Sequence, residues 1–220
     1  MSNTLLGMSQ RVARDAGYSG NIQSVAVVSG DAARIVQYVK DATTYIENLW
    51  GDWRFLWGGM LEGTVDTGET HIVPPLGHYR WDQARLMFDN HLVYPELFHN
   101  FSPYSTMLEQ GYPTQFVIMP DSSIQMYPRP DKQFNFQFSW YRESVELVND
   151  SDTPLVPARF CNTIVAYALW LYAMYDDAAE LAAKSQAEYD KYLRLLEADQ
   201  RPDGFPTNQS SGNFFSISAS

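Results

Sequence analysis

Apolar residues recur at helical spacing in three stretches of the chain and at alternating spacing in the middle. Leu5, Met8, Val12 and Ala16 mark one face of a short amphipathic helix that Gly17 stops. Tyr18 to Val28 carries no such stripe and reads as a loop leading to Ser29, an N-cap residue, with Asp31 placed at the positive end of a helix dipole. Ile35, Tyr38, Val39, Ala42, Tyr45, Ile46 and Leu49 then fall on one face, predicting a helix over 30–50 that ends at Gly51. The third stretch opens at Pro157. Phe160, Ile164, Ala168, Leu171 and Tyr175 form one stripe, and Leu181, Tyr189, Tyr192, Leu193 and Leu196 a second. Asp176-Asp177 stands at a potential break, so either one long helix or a helix pair is expected.

Between these stretches, residues 58–141 replace helical periodicity with glycines, prolines and short alternating runs. Gly63 to Val73 reads as two short strands around a turn, closed by Pro74-Pro75. Ser102-Pro103 and Gly111 bracket a short helix. Phe116–Met119, Ile124–Tyr127 and Phe134–Trp140 read as three more strands, with turns at Pro120-Asp121-Ser122 and at Pro128 to Asp131. The last of these strands places Phe134, Phe136, Phe138 and Trp140 on one face, a pattern that favours burial over a sugar-stacking surface.

The resulting fold class is α+β, mainly helical: a helical body carrying an inserted β-rich domain and an extended C-terminal tail. Its expected parts are residues 1–57, an N-terminal helical part; 58–141, the β-rich insertion with a short helix; 142–200, a C-terminal helical part packing on 1–57; and 201–220, the tail. Trp50, Trp53, Phe55 and Trp57 are too dense for solvent, so Trp50, Trp53 and Trp57 are candidate subunit-packing aromatics at the end of the long helix.

Composition narrows the functional classes. Hydrophobic residues make up 45% and charged residues 19%, enough apolar surface to support a folded core. Fifteen Lys and Arg against 26 Asp and Glu give a net charge of −11, the wrong sign for binding nucleic acid through phosphate contacts. The single Cys161 excludes an intramolecular disulfide, and its neighbours point to a small buried residue. Met1 to Gly7 shows no basic stretch ahead of an apolar core, so no signal peptide is expected. No apolar run spans a bilayer; Ile164 to Tyr175 comes nearest and is too short.

Motifs for dinucleotides, phosphate loops, nucleophile elbows and metal centres are missing, and His71, His78, His91 and His99 are scattered. No catalytic residue, cofactor or metal ligand is therefore expected. Asp82, Asp89 and Glu96, in an aromatic-rich region, leave one enzyme alternative: a tail component that binds or hydrolyses carbohydrate. In the polar tail, Phe205, Phe214, Phe215 and Ile217 have no core of their own and are candidates for docking on a partner.

The order of these elements resembles the head-to-tail adaptor (connector) proteins of tailed bacteriophages, particularly the short-tailed type. The resemblance rests on the Ile35-to-Leu49 helix running into Trp50-Gly51-Asp52-Trp53-Arg54-Phe55-Leu56-Trp57, on Ser123-Ile124-Gln125-Met126-Tyr127-Pro128-Arg129-Pro130 leading to Phe136-Gln137-Phe138-Ser139-Trp140, and on Pro154-Leu155-Val156-Pro157-Ala158-Arg159-Phe160. It implies a virion structural protein, made in the host cytoplasm, that forms a homo-oligomeric ring, commonly of twelve copies. Its expected partners are the portal protein and a tail tube or nozzle protein. DNA would pass through the centre without specific binding, no membrane would be involved, and the candidate tail residues Phe205, Phe214, Phe215 and Ile217 would reach the portal.

Overall fold

A computed structural model describes residues 2–98 and 109–201. The fold is α+β, and the chain divides into two compact units. One comprises the residues up to Ile46, Trp53–Phe55 and those from Glu146 onward. The other comprises Glu47–Asp52 and Leu56–Val145.

Among the described residues the first unit is built from four α-helices: α1 (Leu5–Asp15), α2 (Asp31–Leu49, through Ile46), α3 (Cys161–Tyr175) and α4 (Ala179–Gln200). Thr4 caps α1 by accepting a hydrogen bond from the Gly7 amide at 3.2 Å. At the other end Gly17 adopts φ +74°. Its amide donates to Arg14 O and the Tyr18 amide to Ala13 O, a paired closure that needs a left-handed residue between helix and loop. On α2 the residues Ile35, Val39, Ala42 and Ile46 are buried as their spacing requires, while Tyr45 is 44% exposed. The last two helices are a pair. The break falls at Asp176–Ala178, where Asp177 has φ 52° and the Ala178 amide turns back to Ala173 O.

Helix α3 is buried almost all round instead of along one stripe: Thr163, Val165, Ala166, Leu169 and Tyr172 are buried as well as Ile164 and Ala168, whereas Tyr175 is half exposed. The reason is packing on several sides. Helices α1 and α4 both lie against it, Tyr45 of α2 stacks on its Tyr167 at 4.6 Å, and Arg34 of α2 sits over the Tyr175 ring.

The second unit holds β1 (Trp57–Val65), β2 (His71–Ile72), β3 (His78–Phe88), β4 (His91–Leu92), β5 (Gln110–Gly111), β6 (Gln115–Ile118), β7 (Ile124–Tyr127), β8 (Arg129–Pro130) and β9 (Phe134–Arg142). An antiparallel sheet runs in the order β1-β9-β3-β4, a second in the order β2-β7-β6, and β5 pairs with β8. Phe134, Phe136 and Phe138 of β9 point inward and meet Trp81, Leu86 and Phe88 of β3 and Phe116, Ile124 and Met126 of the second sheet. The rings of Phe88 and Phe116 are 5.2 Å apart and those of Trp81 and Phe138 5.8 Å.

The structure departs from the local reading at three points. The strands on either side of the Asp66–Thr70 turn are not partners: β1 pairs with β9 and β2 with β7, because long-range contacts outweigh the short turn. The longest strand, β3, breaks alternation through a register shift between Trp81 and Leu86, which hides it from a period-two reading. The helix expected over 102–110 falls mainly outside the described residues; Gln110, at its end, stands in β5.

Candidate functional site

The aromatic sequence that follows α2 separates into three environments. Trp53 is fully buried; its indole Nε1 donates to Ile46 O at 3.0 Å and its ring stacks on Phe55, so it plugs the end of α2 within its own subunit. Trp50 and Trp57 are not sequestered, with 36% and 45% exposure. Burial of the whole group is therefore corrected: the short segment 54–57 turns Trp57 into β1, where its Nε1 donates to Ser139 Oγ at 2.9 Å and one indole face stays open. Of the three candidate subunit-packing aromatics, Trp50 and Trp57 have surface to offer another molecule.

The carboxylates considered for carbohydrate chemistry have ordinary structural surroundings. Asp82 accepts from the Ala84 amide and from Ser139 Oγ and faces Arg85 at 3.7 Å. Asp89 lies in the left-handed turn between β3 and β4, and the Glu96 backbone joins Val117 in a single bridge. Asp121 is held below the usual carboxylate range by hydrogen bonds from the Ser123 hydroxyl and amide. That arrangement shapes the β6–β7 turn.

His78 packs its ring 4.4 Å from Trp81, and neither ring nitrogen has a hydrogen-bond partner; burial lowers its pKa. His71 and His91 are exposed, and His99 lies outside the described residues. Among the described residues no group of three or more His, Cys, Asp or Glu could hold a metal ion. No described helix is long and apolar enough to cross a membrane. Cys161 is buried, its Sγ 3.9 Å from the carbonyl oxygens of Val156 and Pro157. The docking candidates Phe205, Phe214, Phe215 and Ile217 lie outside the described residues.

A structural role that the sequence reading passed over belongs to the polar connection before α3. Asp152 O accepts from the Leu5 amide at 2.8 Å, Asp150 O from the Leu6 amide, and Asp150 Oδ1 from the Val25 amide. The first two contacts satisfy amides at the start of α1 that the helix itself leaves open, and the third holds the loop at Val25. The Asp152 carboxyl, in turn, is held down in pKa by the Asn149 and Val148 amides. The clue was the run Asn149-Asp150-Ser151-Asp152, side chains that favour local hydrogen bonding to backbone.

Turns, backbone hydrogen bonds and an ion pair thus surround Asp82, Asp121, Asp150 and Asp152, and His78 is packed on Trp81. The family model described as SU10 adaptor protein matches residues 3–211, nearly the whole chain. The chain belongs to the SU10 adaptor protein family. It is a bacteriophage adaptor, a structural component of the virion. Comparison with curated proteins found no match.

Proposed function

We propose that this SU10-family adaptor works as one subunit of a ring, twelve copies in the reading the sequence resemblance favours, seated between the portal and the tail tube or nozzle of a short-tailed phage. The observation that supports this reading is the adaptor family match over residues 3–211, which spans both units. Identical copies would close the ring through heterologous contacts related by rotation. Residues 1–57 and 142–200 would form the ring body, and the insertion 58–141 would face the tail. The tail residues Phe205, Phe214, Phe215 and Ile217 would bury apolar area against the portal.

The net charge of −11 supports a channel role. Acidic groups on the channel wall would repel DNA phosphates, so the genome would slide without phosphate contacts to hold it. The test is electron microscopy of the purified chain mixed with the purified portal ring. A second ring stacked coaxially on the portal is expected, and bare portals at saturating chain concentrations would overturn the proposal. Removing residues 203–220 should abolish docking while circular dichroism shows the subunit still folded.

A further inference from the structure

Among the described residues neither edge of the four-stranded sheet is paired with a further strand, and the two edges differ. Strand β1 pairs with β9 on one side, and no hydrogen bond joins residues 58–65 to any other described strand. Sheet edges in soluble proteins are commonly guarded by Lys, Pro or bulges, because an open ladder recruits another strand. After the register shift at Gly59, β1 has none of these guards: Met60-Leu61-Glu62-Gly63-Thr64-Val65 carries one charge, Glu62. At the far side, the free stretch of β3 is guarded by Arg80, Asp82, Arg85 and its own register shift. Beyond that stretch lies β4, extended by the Val93 amide bonding to Leu86 O.

From these edges we propose that β1 of one copy pairs with β4 of the next, so that the sheets of neighbouring subunits join in the assembled ring. Two further features commit the occupant to a second copy. The sheet has four strands, each antiparallel to its neighbour, so its two edge strands run in opposite directions. Copies related by rotation about a ring axis keep their strand directions, and β4 therefore meets the following β1 antiparallel.

The side chains also match. Glu62, Gln137, Met87 and Leu92 form one row across the face away from the core. On that face one edge exposes Leu92 and, two residues on, Tyr94; the other exposes Met60. Joining the edges brings these apolar groups together. The inference rests on the ring reading and names the contact that closes it. Because β4 is short, each junction has a short ladder, and association becomes strong only when the ring is complete.

The test is disulfide trapping in the full-length chain assembled on the purified portal ring. Leu92→Cys is combined in turn with Met60→Cys, Glu62→Cys and Thr64→Cys to span the possible registers, with each single variant as control. Cross-strand pairs in an antiparallel ladder bring Cβ atoms within about 5.5 Å, close to disulfide reach. On oxidation at least one double variant should give a ladder of covalent multimers extending past the dimer, and the single variants none. A Met60→Cys dimer without Leu92→Cys would mean that two β1 strands pair about a twofold axis, which overturns the proposal.

A complete ring on the portal with no cross-link in any double variant would overturn the edge contact while leaving the ring reading intact. Portals that stay bare would overturn both. As a second measurement, Met60→Lys with Thr64→Lys should raise the concentration needed for assembly at least tenfold with an unchanged thermal melt; equal assembly by this variant would also count against the edge contact.

Discussion

In the helical unit the buried side chains are mostly aliphatic: Leu5, Ile35, Ile164 and Leu196 lie on elements whose backbone hydrogen bonds are local. In the β unit Trp81, Phe88, Phe116 and Phe138 meet from strands far apart in the chain. The first unit gains its order piecewise, from helices whose backbone hydrogen bonds are local. The second gains nothing until distant strands have found their register, and its large rings supply the burial that compensates for closing those loops. A mutation in the β unit should therefore be felt across the whole sheet, and one at a helix end only locally.

The strongest way to break this contrast is to remove a central ring. Phe138 is fully buried and touches both Trp81 and Phe136. Phe138→Ala should cost the β unit about 3–5 kcal/mol through lost burial and the cavity left behind. Hydrogen exchange read residue by residue should show lost protection across β1, β3 and β9 and retained protection in α3. Equal loss in α3 would mean that the two units unfold as one.

A smaller effect comes from filling space. A Cβ added at Gly63 would stand 2.8 Å from Cζ of Phe136, whose ring lies over the strand and is itself buried. Gly63→Ala should then destabilise the β unit by about 1–3 kcal/mol, the usual cost of overpacking, measurable as a lower urea midpoint. An unchanged midpoint would mean that the ring can slide outward and that the sheet edge is looser than the helical core. In the helical unit Thr4→Ala, which removes the cap on α1, should cost about 1 kcal/mol. Its effect on exchange should be confined to the first turns of α1.

The same contrast explains what could be read from the chain. Residues Leu5–Ala16 and Ile35–Leu49 announced their helices because periodicity and a terminating glycine are local signals, although Gly30 and not Ser29 stands just before the second helix, and Asp176-Asp177 marked the break that separates α3 from α4. Phe134, Phe136 and Phe138 announced β9 by strict alternation. Strand β3 gave no such sign, since its inward residues Trp81 and Leu86 are separated by an irregular, polar stretch. The partner of β1 was equally hidden, being chosen by β9 far along the chain. Among the candidate surface residues, three tryptophans in eight positions say nothing of which one the helix end will bury. Trp53 is fixed by its bond to Ile46 O, a contact that depends on the turn between them.

The mildest test uses pH, and it concerns the β unit alone. His78 sits between Trp81 and Trp140 with both ring nitrogens unpartnered, and burial lowers its pKa below the ordinary value near 6.5. The unfolded chain therefore takes up a proton on this residue at a higher pH than the folded chain does. Well above pH 6.5 neither state is protonated there and His78 contributes no pH dependence. As pH falls from that value toward the lowered pKa, the unfolded state binds more protons and stability declines; below the folded pKa the decline from this residue stops. His78→Phe, which keeps an aromatic ring against the two indoles, should flatten this part of the stability profile in urea titrations taken between neutral and mildly acidic pH. If the variant and the parent lose stability in parallel over that range, acid sensitivity of the β unit comes from its carboxylates and not from the imidazole packed beside Trp81.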